Sequence, residues 1–378
     1  MTFYDALETR SADERASAQA AALGMLIEGK LADQPVLRKS ELGSLQKAEP
    51  PFGGLVRSKT EHVFQSPGPL YEPGRTGHDW WRFGRFLHAA GVGSEDLVHN
   101  CFGYHLTPAG MMFENAARAV GATVLPAGTG QTELQVQAAA HLGCTTYAGT
   151  PDYLQVILDK ADDLGTALLF TKATVSGGAL FPSLRQAYKD RGIACLQCYA
   201  TADVGHIAYE SAAMDGMIID EGVIVEIVTP GTGTPVPEGE VGEVLVTNLN
   251  ADYPLVRFAT GDMSAVMTGQ SPCGRTNRRI KGWMGRADQT TKIKGMFVRP
   301  EQVAALVAKY PEVSRARVIA SRVEQSDVMT VRIESTDASA NYSDAVKETL
   351  KLSGVIEIVE PGSLPQDGVL VEDARSYD

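Results

Sequence analysis

Between about residue 78 and residue 200, the hydrophobic pattern of the chain alternates between helical and strand-like spacing. HDWWRFGRFLHAAG (78–91) has the spacing of an amphipathic helix that ends at Gly91 or Gly93. The elements predicted after it are a strand at DLVHNCFGYH (96–105), a helix opened by Thr107-Pro108, a strand at ATVLPAG (122–128), a helix at TELQVQAAAHLG (132–143), a strand at TTYAGT (145–150), a helix opened by Thr150-Pro151, and strands at ATVSGG (173–178) and ACLQCYA (194–200). This alternation predicts an α/β domain with a largely parallel sheet, in which ligands bind where strands end.

The pattern changes after about residue 215. MIIDEGVIVEIV (217–228) and GEVLVTNLN (242–250) are typical of antiparallel strands, and a helix–strand–strand–helix–strand pattern follows residue 296. We therefore predict an α/β fold with a large multi-layer N-terminal domain of mixed sheets (1–285) and a small α+β C-terminal domain (286–378). The two are joined at GRADQTTKIKG (285–295), whose flanking glycines predict a hinge.

Composition excludes several classes of protein. The 378 residues carry a formal charge of −12, which argues against nucleic-acid binding. No apolar run reaches the roughly 18 residues that span a bilayer. The N-terminus lacks the charged-then-apolar layout of a secretion signal, so we expect a cytoplasmic protein that does not bind membranes.

Two local features leave alternatives open. Eight basic residues and one acidic residue lie between Pro272 and Arg299, a balance that suits a phosphorylated ligand or, equally, a solvated hairpin. Cys195 and Cys198 form a CxxC that could bind zinc or act in redox chemistry, but buried reduced thiols are favoured because no second pair accompanies them.

Three further loops carry candidate chemistry. VSGGALFP (175–182) lets backbone approach a flat ring closely. In CYATADVGHIAYE (198–210), Tyr199 could stack on a base and Asp203 could hold Mg²⁺, or Asp203 could merely cap a helix. In FATGDMSAV (258–266), Asp262 could accept both hydroxyls of a ribose or could belong to a Gly-Asp β-turn.

Together these loops resemble the adenylate-forming superfamily, and more closely its phenylacetate–CoA ligase family. The resemblance spans roughly residues 30–365 and is strongest at PCGRTNRRIKGWMGRADQTTKIKGMFVRPEQV (272–303). FGYHLTPAGMMFENAARAVGATVLPAGTG (102–130), GTPDYL (149–154), YATAD and ATGD are also similar. Such enzymes form an acyl-adenylate from a carboxylic acid and ATP·Mg²⁺, after which a small C-terminal domain swings so that a thiol can attack.

The resemblance implies a role for individual residues. Asp262 and Arg286 would bind the ribose, Asp288 would be the hinge pivot, and Asp203, where the family usually has glutamate, would hold Mg²⁺. The adenine would contact Ser176, Gly177, Gly178, Ala179, Tyr199 and Thr201. The acid would bind among Phe102, Tyr104, Leu106 and Pro151, whose apolar and aromatic character favours an aryl acid.

The chain departs from the family pattern in two places. FQSPGPLYEPGRTG (64–77) keeps Ser66 and Gly68 of the phosphate loop but lacks its threonines and lysine, and Arg75 is the candidate replacement. Near the end, Val369 stands where the family has a lysine that bridges the acid and the α-phosphate. Loss of such a donor typically costs about 10²–10³ in rate. Lys292 or Lys294 could serve instead.

Two functions follow from this pattern. The first is ATP- and Mg²⁺-dependent activation of an aromatic carboxylic acid, in secondary metabolism such as phenazine or other aryl-carboxylate antibiotic routes. The reduced C-terminal region argues against coenzyme A as acceptor and favours a partner reductase or another acceptor enzyme, although an ordinary aryl-CoA ligase stays open. The second is a non-catalytic aryl-acid or nucleotide binding protein on a ligase scaffold. The family also implies a homodimer.

Overall fold

The computed structural model describes residues 2–66, 69–178, 180–289, 291–294, 296–323 and 326–375. It contains two compact units. The first comprises Met1–Thr260 and Ser264–Trp283, and the second comprises Gly261–Met263 and Met284–Asp378. The hinge at 285–295 and its rotation stay predictions.

The helices of the described residues are α1 (Ala12–Leu26), α2 (Lys39–Ala48), α3 (Gly84–Ala89), α4 (Ala109–Ala119), α5 (Thr132–Leu142), α6 (Pro151–Asp163), α7 (Pro182–Asp190), α8 (Pro300–Ala308) and α9 (Ser343–Leu350). The strands are β1 (Leu37–Arg38), β2 (His62–Ser66), β3 (Leu70–Gly74), β4 (Leu97–Asn100), β5 (Thr123–Pro126), β6 (Thr146–Gly149), β7 (Lys172–Val175), β8 (Ala194–Thr201), β9 (Gly205–Tyr209), β10 (Met217–Ile219), β11 (Val223–Val228), β12 (Gly242–Asn248), β13 (Phe258–Ser264), β14 (Val266–Met267), β15 (Arg279–Ile280), β16 (Thr291–Ile293), β17 (Met296–Val298), β18 (Val313–Val323), β19 (Ser326–Ser335), β20 (Val355–Val359) and β21 (Val371–Asp373).

A nine-stranded mixed sheet organises the first unit, in the order β14-β15-β10-β9-β8-β7-β6-β4-β5. Strands β4 to β8 are parallel to one another, as their alternation with helices predicts, and β9, β10, β14 and β15 extend the sheet by antiparallel pairing. The carboxyl ends of five parallel strands therefore share one edge. The predicted α/β fold class is confirmed.

A four-stranded sheet, β1-β13-β12-β11, adds a second layer to this unit. The predicted antiparallel pairing of β11 with β12 is confirmed. The short strand β1 runs parallel to β13, with Leu37 opposite Phe258 and Arg38 opposite Ala259. Since α2 begins at the next residue, this pairing brings the start of α2 to the first residues of β13.

The second unit contains the predicted helix–strand–strand–helix–strand sequence, with one further short strand at its end. Its four-stranded sheet has the order β20-β19-β18-β21. Strands β18 and β19 form an antiparallel hairpin, and β20 and β21 join its two sides in parallel. Helices α8 and α9 contribute Val303, Leu306 and Val346 to its apolar core.

The helix predicted over residues 78–91 is wrong in its first half, because α3 covers only Gly84–Ala89. Asp79 and Arg82 adopt left-handed backbone angles, with φ of 47° and 68°. The Asp79 carboxylate accepts the Gly84 N–H at 2.9 Å, so a turn bonded by a side chain replaces the first helical turn. Trp81 and Phe83 are buried from this turn, which explains the apolar spacing that suggested a longer helix.

Candidate active site

The loops that follow β4, β6 and β7 meet at the carboxyl edge of the nine-stranded sheet. Gly177 has a left-handed φ of 73°, and a methyl group there would lie 3.9 Å from Phe102 Cε1 and 3.7 Å from Thr150 Cγ2. A methyl group at Gly178 would lie 3.3 Å from Pro151 Cδ. The structure therefore brings together the two glycines predicted to contact adenine and two residues predicted to contact the acid. Ala179 lies outside the described residues.

Phe102 is buried and stacks on Phe113 of α4, with ring centroids 4.3 Å apart. Tyr104 follows it, and its hydroxyl accepts a hydrogen bond from Asn100 Nδ2 at 2.8 Å. Burial, reinforced by the nearby Glu114, raises the pKa of Tyr104, so the phenol stays neutral. The wall predicted to hold the acid thus combines apolar ring faces with a neutral hydroxyl.

Leu106 differs from the other predicted pocket residues. Its side chain is 57% exposed and its backbone is left-handed, with φ of 64°. Its carbonyl accepts the Gln65 N–H of β2 at 2.8 Å. Leu106 therefore ties the loop after β4 to the β2–β3 hairpin through its backbone, and its apolar side chain is not part of a buried wall.

Strand β8 carries the next predicted residues. Tyr199 is buried, and its hydroxyl donates to Thr260 Oγ1 at 3.0 Å, while Ser176 Oγ donates to the Cys198 carbonyl at 3.1 Å. Thr201 Oγ1 accepts the Val204 N–H at 3.1 Å. The Ser176 hydroxyl is thus held by β8, the Tyr199 hydroxyl by β13 of the four-stranded sheet, and the Thr201 hydroxyl by the turn after β8, which fixes the shape of this edge.

Asp203 lies in the tight turn between β8 and β9, so the alternative that it caps a helix is wrong. The side chain is almost completely buried. Its Oδ2 accepts a hydrogen bond from Lys39 Nζ at 2.7 Å, and no described residue donates to Oδ1. Lys39 is the first residue of α2 and its side chain is one-third exposed.

The predicted phosphate loop is the hairpin of β2 and β3, with Ser66 at the end of β2. The Ser66 hydroxyl bonds Glu72, and its N–H donates to Glu72 Oε2 at 3.1 Å. Burial raises the pKa of Glu72 to about 7, and the charge of Asp203 contributes in the same direction. Gly68 lies outside the described residues.

Arg75 does not stand free at the end of this hairpin. Its Nη1 donates to Asp252 Oδ2 at 2.7 Å, and Trp80 Nε1 donates to the same oxygen at 3.1 Å. The predicted replacement of the phosphate-loop lysine by Arg75 therefore requires that Arg75 leave Asp252, and it stays a prediction.

Asp262 and Arg286 lie together within the second unit. Asp262 is in β13, so the tight loop predicted for it is wrong, although Gly261 before it has a φ of 76°. The two residues form an isolated antiparallel bridge, and Arg286 Nη1 lies 3.3 Å from Asp262 Oδ1. A methyl group at Gly261 would lie 2.8 Å from Arg286 Nη2, so glycine leaves room for the guanidinium.

The other residues predicted near the hinge are described in part. Lys294 is exposed in the turn between β16 and β17, where its N–H donates to Asp327 Oδ2 at 3.1 Å. The side chains of Asp288 and Lys292 lie outside the described part of the chain. Val369 lies between two residues that Gln289 holds, since Gln289 Nε2 donates to the Gly368 carbonyl at 3.0 Å and the Leu370 N–H donates to Gln289 Oε1 at 2.8 Å.

Two of the basic residues counted between Pro272 and Arg299 have structural roles. Arg275 is buried and donates to Glu8 Oε1 at 2.7 Å. Arg279 is buried and bonds Asp215. These arginines are neutralised by carboxylates inside the first unit, so the charge count overestimated the positive charge available to a ligand.

The five cysteines are free and buried. Burial raises the pKa of both Cys195 and Cys198 to about 12, which disfavours the thiolate that zinc binding or redox chemistry needs. Within the described ranges, no group of three or more His, Cys, Asp and Glu side chains is arranged to hold a metal. No helix in these ranges is long and apolar enough to cross a membrane.

Lys39, Glu72 and Tyr253 are the site residues that the sequence did not reveal. Tyr253 is buried, no described residue bonds its hydroxyl, and burial together with the charges of Asp203 and Glu72 raises its pKa. Glu72 could have been suspected, because an acidic residue within the predicted phosphate loop (64–77) opposes phosphate binding. Lys39 is 164 residues from Asp203 and offered no local signal.

Known proteins are similar to this chain in sequence and in fold. The profile of the family described as AMP-binding enzyme matches residues 87–250. The phenylacetate–coenzyme A ligase of Aromatoleum evansii is 29% identical over 320 residues, which cover 79% of this chain and 72% of that enzyme. The phenylacetate–coenzyme A ligase of Thermus thermophilus is 28% identical over 306 residues, which cover 76% and 69%.

A crystal structure of 2-hydroxyisobutyryl-CoA ligase in the postadenylation state, in complex with an acyl-AMP, superposes with a TM-score of 0.77 at 21% identity, covering 98% of this chain and 91% of that one. An anthranilate CoA ligase in complex with anthranoyl-AMP superposes with a TM-score of 0.58 at 18% identity, covering 81% and 64%. The strand-end loops found in the sequence therefore lie on the fold that such ligases use. The AMP-binding match and the phenylacetate–CoA ligase relatives together support assignment of this chain to the phenylacetate–CoA ligase family of adenylate-forming enzymes.

Proposed function

We propose that this protein activates a small aromatic carboxylic acid as its acyl-adenylate, using ATP and Mg²⁺. The observation that carries the proposal is the meeting of Gly177 and Gly178 with Phe102 and Pro151 at the carboxyl edge of the parallel strands. Bare glycine backbone beside a phenyl ring offers an apolar surface that suits a flat ligand. The anthranoyl-AMP of one structural neighbour is an aryl adenylate, which supports an aromatic acid.

The residues present suit a divalent cation. Asp203 Oδ1 is buried with no donor among the described residues, and carboxylate oxygen is the ligand that Mg²⁺ prefers. Mg²⁺ at nucleotide sites is commonly held by one or two carboxylates together with phosphates, so the lack of a larger acidic group fits this use. Asp203 would hold the ion, which would offset the charge of the triphosphate.

For the acyl acceptor we propose several candidates. The relatives are named as coenzyme A ligases, and a structural neighbour was crystallised with both an acyl-AMP and CoA. These names favour coenzyme A as a second candidate acceptor beside a carrier, an amine or a partner reductase. A role in secondary metabolism, a partner reductase and a homodimer stay predictions of the sequence.

The test is acid-dependent exchange of labelled pyrophosphate into ATP over a panel of aryl acids. The wild-type protein should exchange with at least one aryl acid, and Asp203→Ala should reduce the rate at least about 10²-fold. Asp163→Ala, at the exposed end of α6, is the matched control and should retain the rate. Acids that bind with no exchange over the whole panel would instead support the non-catalytic binding protein.

A further inference from the structure

We propose that Lys39 is a phosphate-binding residue of this site, held on Asp203 until a divalent cation takes its place. The inference rests on the proposed function, because it concerns the nucleotide of that reaction. It assigns a role to the first residue of α2, in a segment far from every loop that the sequence singled out. All the residues involved belong to the first unit.

The charge of Asp203 requires a counter-ion. A buried carboxylate without a partner is strongly unfavourable, and Lys39 Nζ at 2.7 Å supplies the neutralising charge. That pairing uses only Oδ2, since no described residue donates to Oδ1. A divalent cation that bound Asp203 would meet the ammonium group at the same carboxylate. Repulsion between two cations on one carboxylate would weaken the hold of Asp203 on the ammonium group.

Lys39 is held in a way that permits release. It occupies the first position of α2, where the helix dipole disfavours a cation, so the helix itself does not stabilise the ammonium group. Its side chain is one-third exposed and ends a flexible four-carbon stem. Asp203 is therefore the group that keeps the ammonium in place, and displacement by a metal ion would free it.

The β2–β3 hairpin, which is the predicted phosphate loop, lacks a basic residue that could bind a triphosphate. Residues 62–74 contain neither lysine nor arginine, and Arg75 is paired with Asp252 at 2.7 Å. Pairing of β1 with β13 places Lys39 one residue beyond the Arg38–Ala259 pair, alongside Thr260, whose Oγ1 accepts the Tyr199 hydroxyl. Helix α2 packs on the hairpin, since Gln46 bonds the backbone of Tyr71, and the charge of Lys39 opposes the rise that burial causes in the pKa of Glu72 in β3. Lys39 thus brings a positive charge to the hairpin from a different element.

The test uses Lys39→Met and, as a matched control, Lys47→Met in the exposed part of the same helix. Free Mn²⁺ is measured by electron paramagnetic resonance without nucleotide, and Mn²⁺·ATP binding is measured by calorimetry. Lys39→Met should bind Mn²⁺ alone at least tenfold more tightly than wild type and should bind Mn²⁺·ATP at least tenfold more weakly. Lys47→Met should match wild type in both. An unchanged or weaker affinity for Mn²⁺ alone, or an unchanged affinity for Mn²⁺·ATP, would overturn the proposal.

A second pair of variants guards against misfolding of Lys39→Met, which leaves Asp203 buried without its counter-ion. Asp203→Asn and Lys39→Met/Asp203→Asn bury no unpaired charge. Without metal, the double variant should bind ATP at least tenfold more weakly than Asp203→Asn, and equal affinities would overturn the proposal. Failure of the proposed function would give a different result, because wild type would then show no pyrophosphate exchange. The comparison of Mn²⁺ affinities without nucleotide would still test the role of Lys39.

Discussion

Arg286 Nη1 lies 3.3 Å from Asp262 Oδ1, and the guanidinium rests against the bare backbone of Gly261. The side chains predicted to bind the ribose therefore face each other, in a geometry that residue 261 permits only as glycine. A methyl group there would lie 2.8 Å from Arg286 Nη2, closer than carbon and nitrogen tolerate. This relationship can be tested without altering either charged residue.

We expect Gly261→Ala to weaken ATP binding at least tenfold, because the methyl group displaces Arg286 from Asp262. The substitution also places alanine at a φ of 76°, which should lower the free energy of unfolding by about 1 kcal/mol or more. Gly29→Ala is the matched control, since Gly29 has a φ of 77° and open space around it. Calorimetric ATP titration and thermal unfolding measure both effects. Equal ATP affinities in the two variants would contradict the role of the Arg286–Asp262 pair.

Phe102 should select the size of the acid. Phe102→Ala removes a buried ring that stacks on Phe113, which should lower the free energy of unfolding by about 3–5 kcal/mol. The loss of the ring should also enlarge the space beside Gly177. We expect the ratio of exchange rates for two-ring over one-ring aryl acids to rise about tenfold. Phe86→Ala, in the same apolar cluster, should cost similar stability and leave the ratio unchanged. A ratio that moves equally in both variants would show that it reports stability and not the pocket.

The sequence predicted the parts of the site that lie at strand ends. Strands β6, β7 and β8 are short apolar runs between helical segments, so their carboxyl ends and the residues after them, such as Pro151 and Gly177, could be located in advance. The pairing of charged residues in the site could not be located in this way. Strand β1 has only two residues, too few to show a period, yet its pairing with β13 brings Lys39 to Asp203. Contacts over 164 residues leave no local pattern.

Local side-chain bonding caused the remaining errors. The turn at Asp79 and Arg82 carries the apolar spacing of a helix, and only the left-handed backbone angles distinguish it. Likewise, Asp262 follows a Thr-Gly pair that is typical of a turn, but Gly261 continues β13 with a positive φ. Helix and turn propensities are properties of single residues. The conformation at these two places depends instead on the bond from the Gly84 N–H to Asp79 and on the pairing of Asp262 with Arg286.

Asp79 should make stability depend on pH. Burial raises its pKa to about 7, and the neighbouring Asp220 adds to the rise while Arg82 and Arg85 oppose it. In the unfolded chain the pKa is about 4, so between pH 4 and 7 the folded protein binds more protons. Stability therefore falls as pH rises through this window, by at most about 1.4 kcal/mol per pH unit from this group, and the contribution is constant above pH 7.

Asp79→Asn should reduce this slope, because the amide oxygen still accepts the Gly84 N–H but cannot ionise. Chemical denaturation at several pH values between 4 and 8 measures it. Glu72, whose pKa burial also raises to about 7, should preserve part of the slope. Asp163→Asn, at an exposed aspartate, is the control and should leave the slope unchanged. An unaltered slope in Asp79→Asn would mean that Asp79 is ionised throughout the window.

Val369 offers a test of the missing family lysine. Gln289 holds the backbone on both sides of it, through the Gly368 carbonyl and the Leu370 N–H, so a side chain at 369 leaves the loop from a fixed position. If adenylation is limited by the absent donor, Val369→Lys should raise pyrophosphate exchange about 10²-fold, the value of one positioned donor to a developing oxyanion. Val369→Met supplies the length without the charge and should give no gain. Adding Gln289→Ala to Val369→Lys should abolish the gain, because the loop loses its anchor. Equal rates for Val369→Lys and Val369→Met would mean that this position no longer serves the reaction, and that a cation elsewhere in the chain, such as Lys39 or Lys294, stabilises the charge.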